Sequence, residues 1–181
     1  MKTLRQILLP VLALTLIAAC MSAALAATNA LTAGIIADRA QQAADAARRQ
    51  VISADRFEEL SLGDTGQDKI TCFRAVTNGQ TAGYVFTTVT SGKSAGLTVM
   101  TGILADGTVS GVVITQDNET AGYVDNVTKG GLPSSFVGQK AGVFELGKHV
   151  DKVSNATKTS KGIIAAVNLA CRYYEKIKEG A

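Results

Sequence analysis

With 181 residues, the chain has room for one domain once its apolar N-terminus is set aside. Its net charge of +3 includes Lys2 and Arg5 at the very start; the rest is nearly balanced, with 5% aromatic residues and no tryptophan. That composition, without a basic stripe, argues against a nucleic-acid partner. Cys20, Cys72 and Cys171 share no metal-ligand spacing, and a lone His149, read as a surface residue, excludes a multi-histidine site, so no metal is expected.

The first element is an apolar run. Ile7 to Ala27 is about 21 residues, roughly what a helix needs to cross a bilayer. Three readings compete: a cleavable signal peptide ending at Ala24 to Ala26, a lipoprotein signal at Ile17 to Cys20, and an uncleaved anchor. The core exceeds the roughly 7–15 residues usual in a signal peptide, which favours the anchor. Lys2 and Arg5 stand on one side of it and Arg39, Arg48 and Arg49 on the other, so charge alone does not set its orientation. Ala40 to Arg49 contains good helix formers and neither Gly nor Pro, which predicts that the helix continues past the membrane.

Antiparallel strands follow. Lys69 to Val76 alternates around Ile70 and Cys72, less cleanly at Phe73, and Asn78-Gly79 is a strong hairpin signal. Tyr84 to Val89 is β-branched and aromatic. Leu97 to Leu104 forms a further strand, Asp106-Gly107 turns, and Val109 to Ile114 returns. Gly92-Lys93-Ser94 has the ending of a phosphate-binding loop, but Thr87 occupies the position of that loop's first glycine and strands flank both sides, so this is not an NTPase. After Gln116 comes a strand-to-helix connection with Asp117 or Asn118 as its cap, then a short helix over Val124 to Lys129 and a segment from Leu132 to Phe136 against the sheet. Cys72 and Cys171 read either as a disulfide or as two buried thiols.

The final stretch carries the most information. Asp151, Ser154, Ala156, Thr157, Thr159 and Ser160 precede a run in which Ile163, Val167, Ala170, Tyr174 and Ile177 recur at helical spacing. Hydroxyls at that position can cap free N–H groups, and a helix N-terminus favours a bound phosphate. The spacing predicts a helix beginning near Ser160.

The order Asp-x-x-Ser-x-Ala-Thr, a polar residue, then Thr-Ser and an apolar helix resembles the flavinylation motif of FMN-binding domains. These domains occur in the G subunit of Rnf-type electron-transport complexes and the C subunit of the sodium-translocating quinone reductase. The resemblance extends to Asn29 to Thr32, to Ile35 to Arg39, and to a Glu119-Thr120-x-Gly122 segment, and so covers nearly the whole chain; the shorter length fits the Rnf-type member. It implies covalent FMN, joined as a phosphoester to Thr157 by a dedicated flavin transferase, with Thr159 as the alternative acceptor. Ser154, Ala156, Thr159 and Ser160 would complete the attachment site, and Glu119, Thr120 and Gly122 would face the flavin. Two positions depart from the pattern. Asn155 stands where the family has Gly, although Asn accepts a left-handed backbone better than most residues, and Tyr123-Val124 replaces Leu-Gly.

The expected fold is α+β: an N-terminal transmembrane helix, then one extracytoplasmic domain with an antiparallel sheet and packed helices. The expected division is an anchor over 1–28, a helical membrane-exit segment over 29–54 and an FMN-binding domain over 55–181. The resemblance implies a single-pass subunit of the bacterial inner membrane, relaying electrons in a complex that couples ferredoxin–NAD electron transfer to ion translocation. No acid/base dyad or nucleophile–base set is visible, so no catalytic residue is assigned and no turnover is expected from this chain alone. Two other classes stay open: a free-standing anchored flavoprotein, and a non-redox anchored binding module in which Ser154 to Ser160 merely cap a helix.

Overall fold

The computed structural model describes residues 2–116, 122–150 and 156–180. The chain divides into two compact units, Met1–Ala44 and Asp45–Ala181. A single helix, α1 (Lys2–Val51), runs through the first and ends in the second. Within the first unit it is long and apolar enough to cross a membrane. Leu12, Leu16, Met21, Leu25 and Leu31 are exposed along it, and no core surrounds them. Three of its hydroxyls are satisfied within the helix: Thr15, Thr28 and Thr32 donate to the carbonyls of Val11, Ala24 and Thr28. This back-bonding makes hydroxyl residues tolerable in hydrocarbon.

The second unit is built on a five-stranded antiparallel sheet: β1 (Arg56–Leu60), β2 (Ile70–Thr77), β3 (Gln80–Ser91), β4 (Ala95–Leu104) and β5 (Val109–Gln116), in that spatial order. Asn78 and Gly79 both take positive φ (51° and 78°), the backbone of a two-residue hairpin turn. Sequence reasoning missed β1. It carries Arg56, Glu58 and Glu59 and no apolar alternation, and as an edge strand it is held by pairing to β2 and by Glu58 bridging Arg56 and Arg74. At the opposite edge the segment 138–141 covers the start of β5. Gly138 N–H donates to Val109 O, Val109 N–H to Gln139 O and Ala141 N–H to Gly107 O.

Two short helices, α2 (Tyr123–Lys129) and α3 (Leu132–Ser135), lead towards α4 (Thr157–Glu179). Along α4, Ile163, Val167, Ala170 and Tyr174 are buried and Ile177 is partly so, as the spacing predicts. They pack on one sheet face against Cys72, Phe86, Leu97, Val99 and Ile103. The other face is also covered: Val51 and Ile52, at the end of α1, join Ala75, Val85 and Met100, with Phe73 partly buried beside them. Two covered faces explain the unclean alternation at Phe73 and the unbroken burial of β4 from Val99 to Ile103. Arg48, itself buried, pairs with Asp45 and lies 3.6 Å over the Phe73 ring.

The backbone of α1 reaches the sheet so closely because the sheet is bare there. A Cβ on Gly102 would lie 2.6 Å from Val51 O, one on Gly111 2.8 Å from Val51 Cα, and one on Gly83 2.7 Å from Ile52 Cδ1. Gly102 and Gly111 face each other across β4 and β5, and Ser110 Oγ donates to Val51 O between them. Cys72 and Cys171 are buried free thiols, not a disulfide.

Candidate functional site

The site begins at the first turn of α4. The helix starts at Thr157, three residues ahead of the expected Ser160, with Ala156 as N-cap and no side-chain capping bond. Of the hydroxyls that resemble caps in the sequence, Thr157, Thr159 and Ser160 lie inside the first turn. Ser160 is fully buried and its Oγ donates back to Ala156 O at 3.0 Å. Thr159 is 1% exposed and Ala156 is buried, whereas Thr157 and Lys158 are exposed. Helical geometry therefore sorts the cluster: 157 and 158 face outward, 159 and 160 face the core. Thr157 presents an accessible hydroxyl at the end of a 23-residue helix, where the first N–H groups have no intrahelical acceptor and the helix dipole favours negative charge.

Among the described residues, an open pocket of about 300 Å³ is lined by Ala156, Thr157, Lys158 and Thr159 at the start of α4 and by Lys93 and Tyr123 from elsewhere in the fold. Neither of these was assigned from the sequence. Lys93 sits in the β3–β4 hairpin, in the triplet that shares only the ending of a phosphate loop, and Tyr123 is the first residue of α2. Only the topology brings them to Thr157. Lys93 Nζ donates to Tyr123 Oη at 3.1 Å and lies 4.3 Å from the ring centre.

Gly122 has φ 90° and is the N-cap of α2, the role sequence reasoning gave to Asp117 or Asn118. No described atom lies within 4 Å of a Cβ built there, so the turn, not a crowded backbone, calls for glycine. The candidate residues Ser154, Glu119 and Thr120, together with Asp117, Asn118, Asp151 and Asn155, lie outside the described residues. Elsewhere, His149 is exposed and accepts the Glu145 N–H at Nδ1. Among the described residues no cluster of His, Cys, Asp and Glu could hold a metal.

The chemistry of the pocket suits a phosphorylated ligand. It has an accessible hydroxyl, a helix N-terminus, two lysines and, among the described lining residues, no carboxylate. Fold and pocket together define an α+β domain with an open, lysine-lined pocket at a helix N-terminus, suited to a phosphate group.

The comparisons give the family. Residues 92–172 match the FMN-binding domain model, from the β3–β4 hairpin well into α4. The chain is 30% identical to the G subunit of the Na(+)-translocating ferredoxin:NAD(+) oxidoreductase complex of Acetobacterium woodii, over 93% of its length and 91% of the relative's. The chain belongs to the FMN-binding family that contains this relative. The crystal structure of NqrC from Shewanella oneidensis has a similar fold, with a TM-score of 0.50 at 22% identity, over 60% of this chain and 61% of that one. The chain thus spans less than two thirds of that solved structure's length.

Proposed function

We propose that this chain is the FMN-carrying electron-transfer subunit of a membrane complex that couples ferredoxin–NAD electron transfer to ion translocation, with FMN held as a phosphoester on Thr157. Family membership supports the electron-transfer role and the partner subunits. One observation carries the choice of residue: of the two candidate acceptors in the described motif, Thr157 is exposed and Thr159 is 1% exposed. A flavin transferase must reach its acceptor, and only Thr157 offers that access in the folded domain.

When bound, FMN supplies the one-electron redox chemistry that no side chain provides. The chain's residues anchor and orient it. Thr157 Oγ1 would carry the phosphoester, and the first-turn N–H groups and helix dipole of α4 would offset its remaining charge. Glu119, Thr120 and Gly122 are the residues that would face the flavin. The covalent link keeps the flavin in place outside the cytoplasm, where a lost one is not readily replaced. The proposed division is the one expected from sequence, with residues 1–28 an uncleaved anchor, 29–54 the membrane exit and 55–181 the FMN domain outside the cytoplasm.

Intact-mass measurement of the protein from its native membrane, with in-gel flavin fluorescence of variants, tests the assignment. Thr157→Ala should lose covalent flavin and stay folded, since the site is exposed and Ala is the best helix former. Full fluorescence in Thr157→Ala with loss in Thr159→Ala would move the acceptor two residues along. Protease added to spheroplasts should remove the domain; protection would reverse the orientation.

A further inference from the structure

Lys93 is not simply a surface lysine near the site. It stands two residues beyond Ser91, and the hairpin that carries it is fixed against α4 at two points. Thr90 Oγ1 donates to Gly162 O at 3.1 Å. A Cβ on Gly162 would lie 2.8 Å from Ser91 O and 3.0 Å from Gly92 Cα, so only glycine lets the hairpin lie this close to the helix. Gly162 is little more than one turn beyond Thr157. The hairpin therefore delivers Lys93 over the first turn of α4 from a rigid base.

Tyr123 then holds the ammonium through its hydroxyl at 3.1 Å and its ring at 4.3 Å. This is the position at which the chain has Tyr in place of the family's Leu. A phenol that accepts from lysine still keeps its own O–H to donate. The pair can thus present an ammonium and a phenol, both donors, to one anion in the pocket that Thr157 also lines.

We propose that Lys93 is the countercharge of the phosphate group carried at Thr157, and that Tyr123 is the positioning residue that aims it. The proposal rests on Thr157 being the attachment site. A lysine acts as a compact point charge, which suits a phosphoester with one remaining negative charge that needs no bidentate fork.

The test uses the full chain in detergent, co-expressed with the flavin transferase, as wild type, Lys93→Met, Lys93→Arg, Tyr123→Phe and a control, Lys129→Met, at the far end of α2. Intact mass and peptide mapping first give the flavin occupancy and its position. The ³¹P resonance of the phosphoester then reads the local environment independently of electron transfer. Lys93→Met should shift that resonance, Tyr123→Phe should shift it part of the way, Lys93→Arg should lie near wild type, and Lys129→Met should superimpose on it. Flavin loss in folded Lys93→Met that Lys93→Arg restores would also support the proposal. A Lys93→Met resonance coincident with wild type overturns it, as does equal flavin loss in Lys93→Met and Lys93→Arg. If wild type carries no flavin, or carries it on a peptide without Thr157, the attachment reading itself fails and this proposal falls with it; mapping distinguishes that case from a silent Lys93.

Discussion

Gly102→Ala tests how the end of α1 is fastened to the sheet. The added methyl would lie 2.6 Å from Val51 O, 2.5 Å from Ser110 Oγ and 3.0 Å from Val51 C. Ser110 can rotate, though only by giving up its bond to Val51 O; the Val51 carbonyl is backbone and must move with its helical turn. A shift of about 0.5–1 Å forfeits a quarter to a half of the local dispersion energy. Val51 and Ile52 are 2% and 4% exposed, and burying two such side chains contributes roughly 3–6 kcal/mol. Losing a quarter to a half of that costs about 1–3 kcal/mol, and losing the Ser110 bond adds about 1 kcal/mol. The expected destabilisation is about 2–4 kcal/mol.

The buried thiols supply the assay. Burial pushes the Cys72 thiol up to about 12 and also raises Cys171. In the folded chain both should resist alkylation at pH 8 and become reactive as urea opens the domain. Pulsed alkylation across a urea series, read by mass, should give a clearly lower midpoint for Gly102→Ala. Gly142→Ala is the control: its Cβ would meet only Lys140 O at 3.8 Å, so it should be unchanged or up to about 1 kcal/mol more stable. Equal midpoints for Gly102→Ala and wild type would refute the close-approach argument.

Two other perturbations follow from the same geometry. The Thr108 N–H, the Lys140 ammonium and the Thr108 hydroxyl hold the Asp106 carboxyl at about 2. A depressed folded value gives stability that is present above the unfolded value of about 3.9 and lost as pH falls through about 2. Asp106→Asn should therefore flatten the loss of urea stability between pH 5 and pH 2, and an unchanged slope would contradict this. Gly122→Leu and Gly107→Leu should diverge. Gly107, a remote turn as read from sequence, has φ 84° and a Cβ there would touch the Tyr174 ring at 3.4 Å, so its variant should lose stability by about 1–3 kcal/mol with an unaltered flavin spectrum. Gly122→Leu should shift the visible spectrum and midpoint potential of the bound flavin, and an unchanged spectrum would remove the 119–122 segment from the flavin's surroundings.

What the sequence disclosed depended on how local the cause was. The hairpin at Asn78-Gly79 and the amphipathic face of α4 arise from neighbouring residues, and both were legible. β1 was not, because its charged residues make sense only beside Arg74 of β2. The start of α4 was misjudged for a related reason: Thr159 and Ser160 look like caps until the helix turns them into the core. Ser160 then satisfies its hydroxyl on Ala156 O, leaving Ala156 as a cap without a side-chain bond. In the pocket, the order of residues around Thr157 carries the family resemblance by itself. Lys93 and Tyr123 were not legible, since 30 residues separate them and each meets Thr157 only through the fold. The two departures from the family pattern also divide. Tyr123 has a partner in Lys93, while Asn155 lies outside the described residues.

The glycines show why the sheet can serve two attachments at once. On one face Gly102 and Gly111 admit the backbone of Val51; at the end of the other attachment Gly162 admits the backbone of the β3–β4 hairpin. In both places a side chain is missing where two backbones meet, and in both a hydroxyl, Ser110 or Thr90, donates to a carbonyl at the contact. Backbone seated against backbone has less freedom than side chains packed on side chains, because no rotamer can absorb a displacement. The last turn of α1, seated on β4 and β5, and the first turns of α4, seated on the β3–β4 hairpin, are thereby referred to one sheet. For a chain that relays electrons, such fixing has a physical purpose: a flavin attached at Thr157, as proposed, would keep a constant relation to the sheet, and through the sheet to Asp45–Val51, the part of α1 that belongs to this unit.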